Sequence, residues 1–164
     1  MLSLIVATDS KDGIGKDNTI PWTSRADMKH FKETTMGSTV IMGFNTFKSL
    51  DYKPLPGRNN VVVLDFSREI PDTVLESGCT ILPNTSVQKF IKDMSPNNHL
   101  FLIGGAAQYE EYMKYCDRLI HTTIMGDYEC DKNIKLFGSS VGWEFLYQEV
   151  LQDGSVVRYY NRVD

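Results

Sequence analysis

Apolar residues in this chain gather into short unbroken runs, separated by polar stretches rich in glycine, proline and aspartate. Leu2 to Thr8, Thr39 to Met42, Val61 to Leu64 and His99 to Ile103 are such runs, the mark of strands covered on both faces. A helix is expected from Ser24 to Met36-Gly37, and a shorter one starts near Asn45 or Thr46. Val87, Phe90 and Ile91 share one face of a helix over Ser86 to Met94, and a further helix follows from Ala106 to about Tyr115. Thr80 to Leu82 and the mixed-polarity segment Asp117 to Ile124 read as strands. Trp143 to Leu151 and Val156 to Asn161, around Asp153-Gly154, read as an antiparallel hairpin. Strand and helix alternate early and a hairpin closes the chain, which predicts an α/β domain with a mainly parallel sheet and an antiparallel edge.

At 164 residues, one domain over residues 1–164 is expected, large enough for a real core. A hydrophobic share of 41% and a net charge of −4, with no basic cluster, exclude a nucleic-acid-binding surface and an anionic-membrane surface. The reading has no membrane span and no signal peptide, so a cytoplasmic location is expected. Cys79, Cys116 and Cys130 have no metal-type spacing and fit free thiols in a reducing compartment. His30, His99 and His121 are scattered, so no metal site is expected.

Chemistry concentrates in a few places. Asp27 and Phe31 are four residues apart and project from one helix face, a carboxylate beside a phenyl ring. Ser24-x-x-Asp27 also fits a helix N-terminal cap, and the motif alone favours that reading. The alternative is a pocket gripping a flat, cationic or amidine-bearing heterocycle. Gly43 and Gly104-Gly105 each stand between a strand and a helix start, where free backbone N–H groups suit an anion. Arg58 follows the proline-bracketed turn DYKPLPGR; it is either a surface charge or a fork for a carboxylate. The long connection DSKDGIGKDNTI, with Gly13 and Gly15 around Ile14, reads as a mobile lid with an apolar tip or as a plain surface loop.

Six segments, IVATDSKDGIGKDNTIPW, the helix with Asp27 and Phe31, TVIMGFNTFKSL, PLPGRNNVVV, FLIGGAAQYEEY and IHTTIMGDYECD, together resemble the dihydrofolate reductase family in order and spacing. The resemblance implies an eight-stranded, mostly parallel sheet with an antiparallel C-terminal hairpin, flanked by four helices. It implies reduction of 7,8-dihydrofolate to tetrahydrofolate with NADPH, in support of one-carbon metabolism, by a monomer that antifolate inhibitors also bind. By resemblance Asp27 holds the pterin, Thr122 supports that acid and Trp22 positions water near it. The substrate walls would come from Ile5, Val6, Ala7, Met28, Phe31, Leu50, Leu55 and Ile103, with Arg58 on the substrate's α-carboxylate. The cofactor side would comprise Ala7, Ile14, Gly15, Ile20, Gly43, Phe44, Asn45, Thr46, Leu64 and Asp65, then Ile103 to Tyr109 (Ile103, Gly104, Gly105, Ala106, Ala107, Gln108, Tyr109). Asp131 matches a residue that helps to hold the lid, and the Gly104-Gly105 peptide is usually cis in the family.

Phe44 and Ala107 stand where the family often has cations, and Asp65 where a small hydroxyl residue is frequent; Ile20 replaces a methionine or leucine of the lid. These departures imply NADPH use with a smaller preference over NADH than is usual. Two competing readings are a related reductase acting on a pyrimidine ribosyl phosphate and a catalytically silent copy of the fold. Arg58 after PLPG favours folate over the first, and the retention of Asp27, Thr122 and both glycine junctions argues against the second.

Overall fold

The structure, a computed structural model, describes residues 1–138 and 141–163. Its centre is β1 (Leu2–Thr8), a strand buried along almost its whole length. Next come β2 (Gly13–Gly15), α1 (Arg25–Thr35), β3 (Thr39–Gly43), α2 (Phe44–Ser49), β4 (Asn59–Leu64), the single-turn α3 (Asp72–Leu75) and β5 (Thr80–Pro83). The chain continues through α4 (Val87–Met94), β6 (Leu100–Gly104), α5 (Ala106–Tyr112), β7 (Arg118–Thr123), β8 (Lys132–Asn133), β9 (Gly142–Val150) and β10 (Val156–Val163). Eight strands form one sheet in the order β5-β4-β3-β6-β1-β7-β10-β9, parallel from β5 to β7 and antiparallel where β10 meets β7 and β9.

The apolar runs are unbroken because each strand feeds two cores. Leu2, Leu4 and Val6 of β1 face the cluster that Val87 and Ile91 of α4 and Tyr109 and Tyr112 of α5 complete. Ile5, between them, faces the opposite cluster with Val40, Met42, Phe47, Val62 and Phe101. Each such side chain, fully buried, contributes about 1.5–3 kcal/mol. The edge strand β9 differs, for Phe145, Tyr147 and Val150 are exposed. A register shift opposite Tyr159 and Tyr160 breaks its regularity, a device that blunts edge pairing. No described helix is long and apolar enough to cross a membrane.

The observed elements follow the expected ones within a few residues, with three differences, the first being the single-turn α3, which no apolar period announces. Helix α2 starts at Phe44 rather than Asn45, directly on the end of β3, because Gly43 itself serves as the N-cap. The long connection is not a free loop: β2 pairs with β8 in a two-stranded ribbon, and Lys16 and Thr19 bridge each other. Its apolar tip, Ile14, packs against the α4/α5 core.

Candidate active site

Helix α1 begins with Ser24 as N-cap. The Ser24 hydroxyl accepts the Asp27 N–H at 3.0 Å and donates to Asp153 Oδ2 at 2.5 Å, which ties the helix start to the β9–β10 turn. The capping reading therefore holds for Ser24, while the carboxylate of Asp27 has a different use. It is hydrogen-bonded by the hydroxyl of Thr122 on β7, a residue 1% exposed. Burial pushes the Asp27 carboxyl above its ordinary range; the charge of His30 and the Thr122 hydroxyl pull it down, and Asp153 adds an upward push.

The apolar residues expected around this acid converge. Ile5 lies in the α1-side core, and Phe31, Leu50, Leu55 and Ile103 pack against it. Val6 points into the other core, so only its backbone borders the site, the result of strand alternation. Ala7 is half-buried on β1, paired with Thr122 on the neighbouring strand. Met28 and Ile20 are 64% and 65% exposed. Trp22 is buried, its ring tilted against Tyr128 at 5.5 Å between centroids.

Arg58 is set by its loop. Its Nε donates to the Pro56 carbonyl at 2.8 Å and its Nη1 to the Thr35 hydroxyl at 3.3 Å. Burial lowers its affinity for the proton, as for any partly desolvated cation. The turn before it is stapled by Asn60, whose amide accepts from Leu55 N–H and donates to the carbonyls of Leu55 and Arg58. Sequence reasoning missed Asn60 and Thr35; the signal available was a buried-run asparagine directly after the PLPGR turn.

At the other end of the same sheet edge, β3 and β6 are neighbours, with Met42 opposite Gly104. Both run straight into helices whose starts carry neither a side-chain cap nor an acid in the first turn. Gln108 fills the space that a Cβ on Gly43 would take. Gly104 has φ +125°, a conformation that excludes most side chains, and Thr46 Oγ1 lies 3.2 Å from where its Cβ would stand. The Gly104-Gly105 peptide is cis. The bare N–H groups at these helix starts and the Thr46 hydroxyl beside Gly104 are neutral donors of the kind that suit an anion. Ala106 and Ala107 continue α5, and Tyr109 donates its hydroxyl to the Ile5 carbonyl at 2.8 Å. Burial, then the Asp27 charge, pushes the Tyr109 phenol far above its ordinary value, so it remains a donor. Phe44 leans on Tyr52 at 6.1 Å between centroids. Leu64 is buried at the end of β4. Asp65 is committed to its own turn: its Oδ1 accepts the N–H and hydroxyl of Ser67, and its Oδ2 lies 3.7 Å from Arg68.

The lid is rooted on Asp9, which is 2% exposed. Its carboxylate accepts the N–H groups of Lys11, Gly13 and Tyr128. Burial works upward on its pKa, but these hydrogen bonds outweigh burial and hold the group below the usual carboxylate range. Asp131 accepts the Asp17 N–H at 2.9 Å and gives its own N–H to the Gly15 carbonyl. Asp9 was not legible as functional, because its partners are backbone groups from a distant segment.

Asp27 with its apolar neighbours and the glycine-bearing starts of α2 and α5 thus gather at one parallel sheet, the layout in which α/β folds bind nucleotides at strand ends. A family model described as Dihydrofolate reductase matches residues 1–156. The chain is 37% identical to a Dihydrofolate reductase of Bacillus subtilis (strain 168), over 91% of this chain and 83% of the relative. It is 33% identical to one of Mycoplasma pneumoniae, over 99% of both. Among solved structures, the Enterococcus faecalis dihydrofolate reductase complexed with NADP(H) and RAB-propyl superposes with a TM-score of 0.82 at 27% identity, covering 100% of this chain and 97% of that one. The chain belongs to the dihydrofolate reductase family.

Proposed function

We propose that this enzyme reduces the C=N bond of 7,8-dihydrofolate with NADPH, Asp27 holding the pterin and Arg58 the α-carboxylate of its glutamate tail. The observation that carries the reading is one partly buried acid, Asp27, braced by the Thr122 hydroxyl in an apolar cleft beside the Gly104-Gly105 edge. Bound NADPH supplies a hydride to the ring carbon. The proton for the ring nitrogen comes from water, since the ionised Asp27 has already accepted the pterin's N–H donors. Asp27 thus orients the ring and favours the tautomer that takes up that proton, and Thr122 fixes the rotamer of its carboxylate. Trp22, its ring held against Tyr128, positions water near this acid. Phe31 with Leu50 and Leu55 excludes water from the ring's faces.

On the cofactor side, Gly43, Gly104 and Gly105 allow close backbone approach, and Asn45, Thr46 and Gln108 donate neutral hydrogen bonds. Ile14, Gly15 and Ile20 belong to the lid that Asp9 and Asp131 tie down. With no cation at positions 44 and 107, Arg68, beside Asp65, and Lys48 are the two charges that could meet a 2′-phosphate. The test is absorbance loss with dihydrofolate and NADPH, in wild type and Asp27→Asn. Turnover that needs both ligands and collapses in the variant supports the reading. A variant of wild-type activity at neutral pH overturns it.

A further inference from the structure

His121 of β7 is 5% exposed, and the reduction as described leaves it unused. Its neighbour on β1, Val6, points into the α4/α5 core, so His121 lies on that face of the sheet and Thr122 on the other. Two segments meet on its ring. Nε2 lies 2.8 Å from Thr8 Oγ1, at the end of β1. The ring also tilts against Phe137, 6.4 Å between centroids. These contacts are the two feet of the β2–β8 ribbon. Thr8 leads into the ribbon through Asp9, and Phe137 follows it after Ile134 and Leu136, both buried in the same core.

The hydrogen bonds fix where the protons sit. The Thr8 hydroxyl has one hydrogen and gives it to the Asp9 carbonyl at 3.0 Å. Its oxygen therefore accepts from the ring, and Nε2 carries the imidazole hydrogen. Nδ1 is buried and, among the described residues, has no hydrogen-bond partner. A bare lone pair is tolerated there better than an orphaned N–H. The charge facing the ring is also a cation, Arg158 opposite it on β10, whose Nη1 donates to Thr123 Oγ1 at 3.2 Å. Burial, then Arg158, pushes the imidazole down to about 4, so the ring is neutral at ordinary pH. An apolar ring would fill this space without stranding Nδ1. What the imidazole adds is the Nε2–H.

We propose that His121 is a positioning residue for the reduction: as a neutral donor to Thr8, and by its contact with Phe137, it holds both feet of the lid ribbon. The proposal rests on the reading of that ribbon as a lid on the cofactor side. The Asp9 carbonyl that Thr8 binds also accepts the Asp12 N–H at 3.3 Å, and the Asp9 carboxylate gathers the N–H groups of Lys11, Gly13 and Tyr128. Freeing the Asp9 peptide to rotate would therefore misplace the whole root of the lid.

Three variants separate the hydrogen bond from the bulk of the ring. His121→Leu removes the donor, His121→Gln keeps an amide N–H in its place, and Thr8→Val removes the hydroxyl at constant size. Amide hydrogen exchange in the ligand-free protein is read at Gly13, Asp131 and Ile134, whose N–H groups are bonded within the ribbon and its root, against Val62 in the sheet. In His121→Leu and Thr8→Val the three should exchange about fivefold faster relative to Val62, the scale of one net hydrogen bond. NADPH should leave the enzyme faster by a similar factor, with dihydrofolate affinity within about twofold of wild type. His121→Gln should restore both, and ring ¹⁵N shifts at neutral pH should place the hydrogen on Nε2. An equal rise at all four amides would be a loss of stability alone and overturns the proposal, as does a hydrogen on Nδ1 or a His121→Gln that behaves like His121→Leu. If His121→Leu does not fold, Thr8→Val decides, since it leaves the ring in place; unmoved exchange there overturns the proposal equally. Faster ribbon exchange with unchanged NADPH dissociation overturns the role in reduction. A wild type without NADPH-dependent turnover of dihydrofolate would overturn the functional reading first, while the exchange ratios would still decide whether His121 holds the ribbon.

Discussion

The two halves of the cleft are built by opposite means. On the substrate side, side chains from distant segments meet: Asp27 of α1 with Thr122 of β7, Ser24 with Asp153, Arg58 with Thr35. On the proposed cofactor side the groups on offer are mostly main chain, at the ends of β3 and β6, where glycines leave the backbone uncovered. A site made of side chains stands or falls with residue identity. A site made of backbone depends on chain path, and side-chain identity at positions such as Phe44 and Ala107 then matters less.

The sharpest break in that contrast is Asp27→Asn. Turnover at neutral pH should fall by about 10²–10⁴, the range of a positioned acid–base group, and recover partly as pH falls and solution protonates the substrate. The same change should raise the melting temperature at neutral pH. Asp27 titrates above its unfolded value, so ionising it in the fold costs stability that is present at low pH and lost as pH rises through its titration; an amide avoids that loss. A variant less stable than wild type at pH 7 would contradict the burial argument.

Arg58→Leu should weaken dihydrofolate binding about ten- to a hundredfold, the scale of a charge-assisted pair, and leave a tail-less pteridine unaffected. Equal losses for both ligands would make Arg58 structural. On the other half, Gly104→Ala puts a side chain at φ +125° against Thr46. It should lower NADPH affinity by about tenfold, within the 1–3 kcal/mol that such backbone strain costs, with antifolate binding to the ligand-free enzyme spared. An unchanged dissociation constant for NADPH would mean that this glycine is not part of the cofactor cradle.

The smallest effect is expected at Asp65. Its carboxylate is spent on Ser67 and Arg68, so Asp65→Ser should shift the ratio of kcat/KM for NADPH and NADH by no more than about fivefold, the scale of an exposed ion pair. Wild type should prefer NADPH by less than about two hundredfold. A larger preference would show that another cation, Arg68 or Lys48, makes up for the uncharged positions 44 and 107.

The contrast also explains what could be read from the sequence. Doubly buried strands announce themselves, so β1, β3, β4 and β6 were legible almost to the residue, as were Asp27 with Phe31 and the two glycine junctions. Elements without a local pattern were not: β2 and β8 are too short to have a period, and they exist because Asp9 and Asp131 bind backbone from the other segment. The lid's apolar tip looked free because nothing nearby in sequence shows that Ile14 has a core to rest on. Asp65 was expected on the cofactor side, and nothing in its own position shows that Ser67, two residues on, holds its carboxylate in a turn. His30 looked like a stray histidine because its partner, Glu149, lies on the edge hairpin.

The position of β1 has a consequence for the order in which the molecule can be made. It is the first strand to be synthesised, but its neighbours β6 and β7 come from the last two-fifths of the chain, with registers such as Leu4 to Leu102 and Ala7 to Thr122. Until those strands emerge, Ile5 has no sheet to sit in and Asp27 has no Thr122. The Ser24 cap waits longer still, for Asp153. Loop closure over such separations is slow relative to local helix formation. On the ribosome, α1 can therefore form early while its acid stays unsupported, and the cleft is completed among the last events of synthesis.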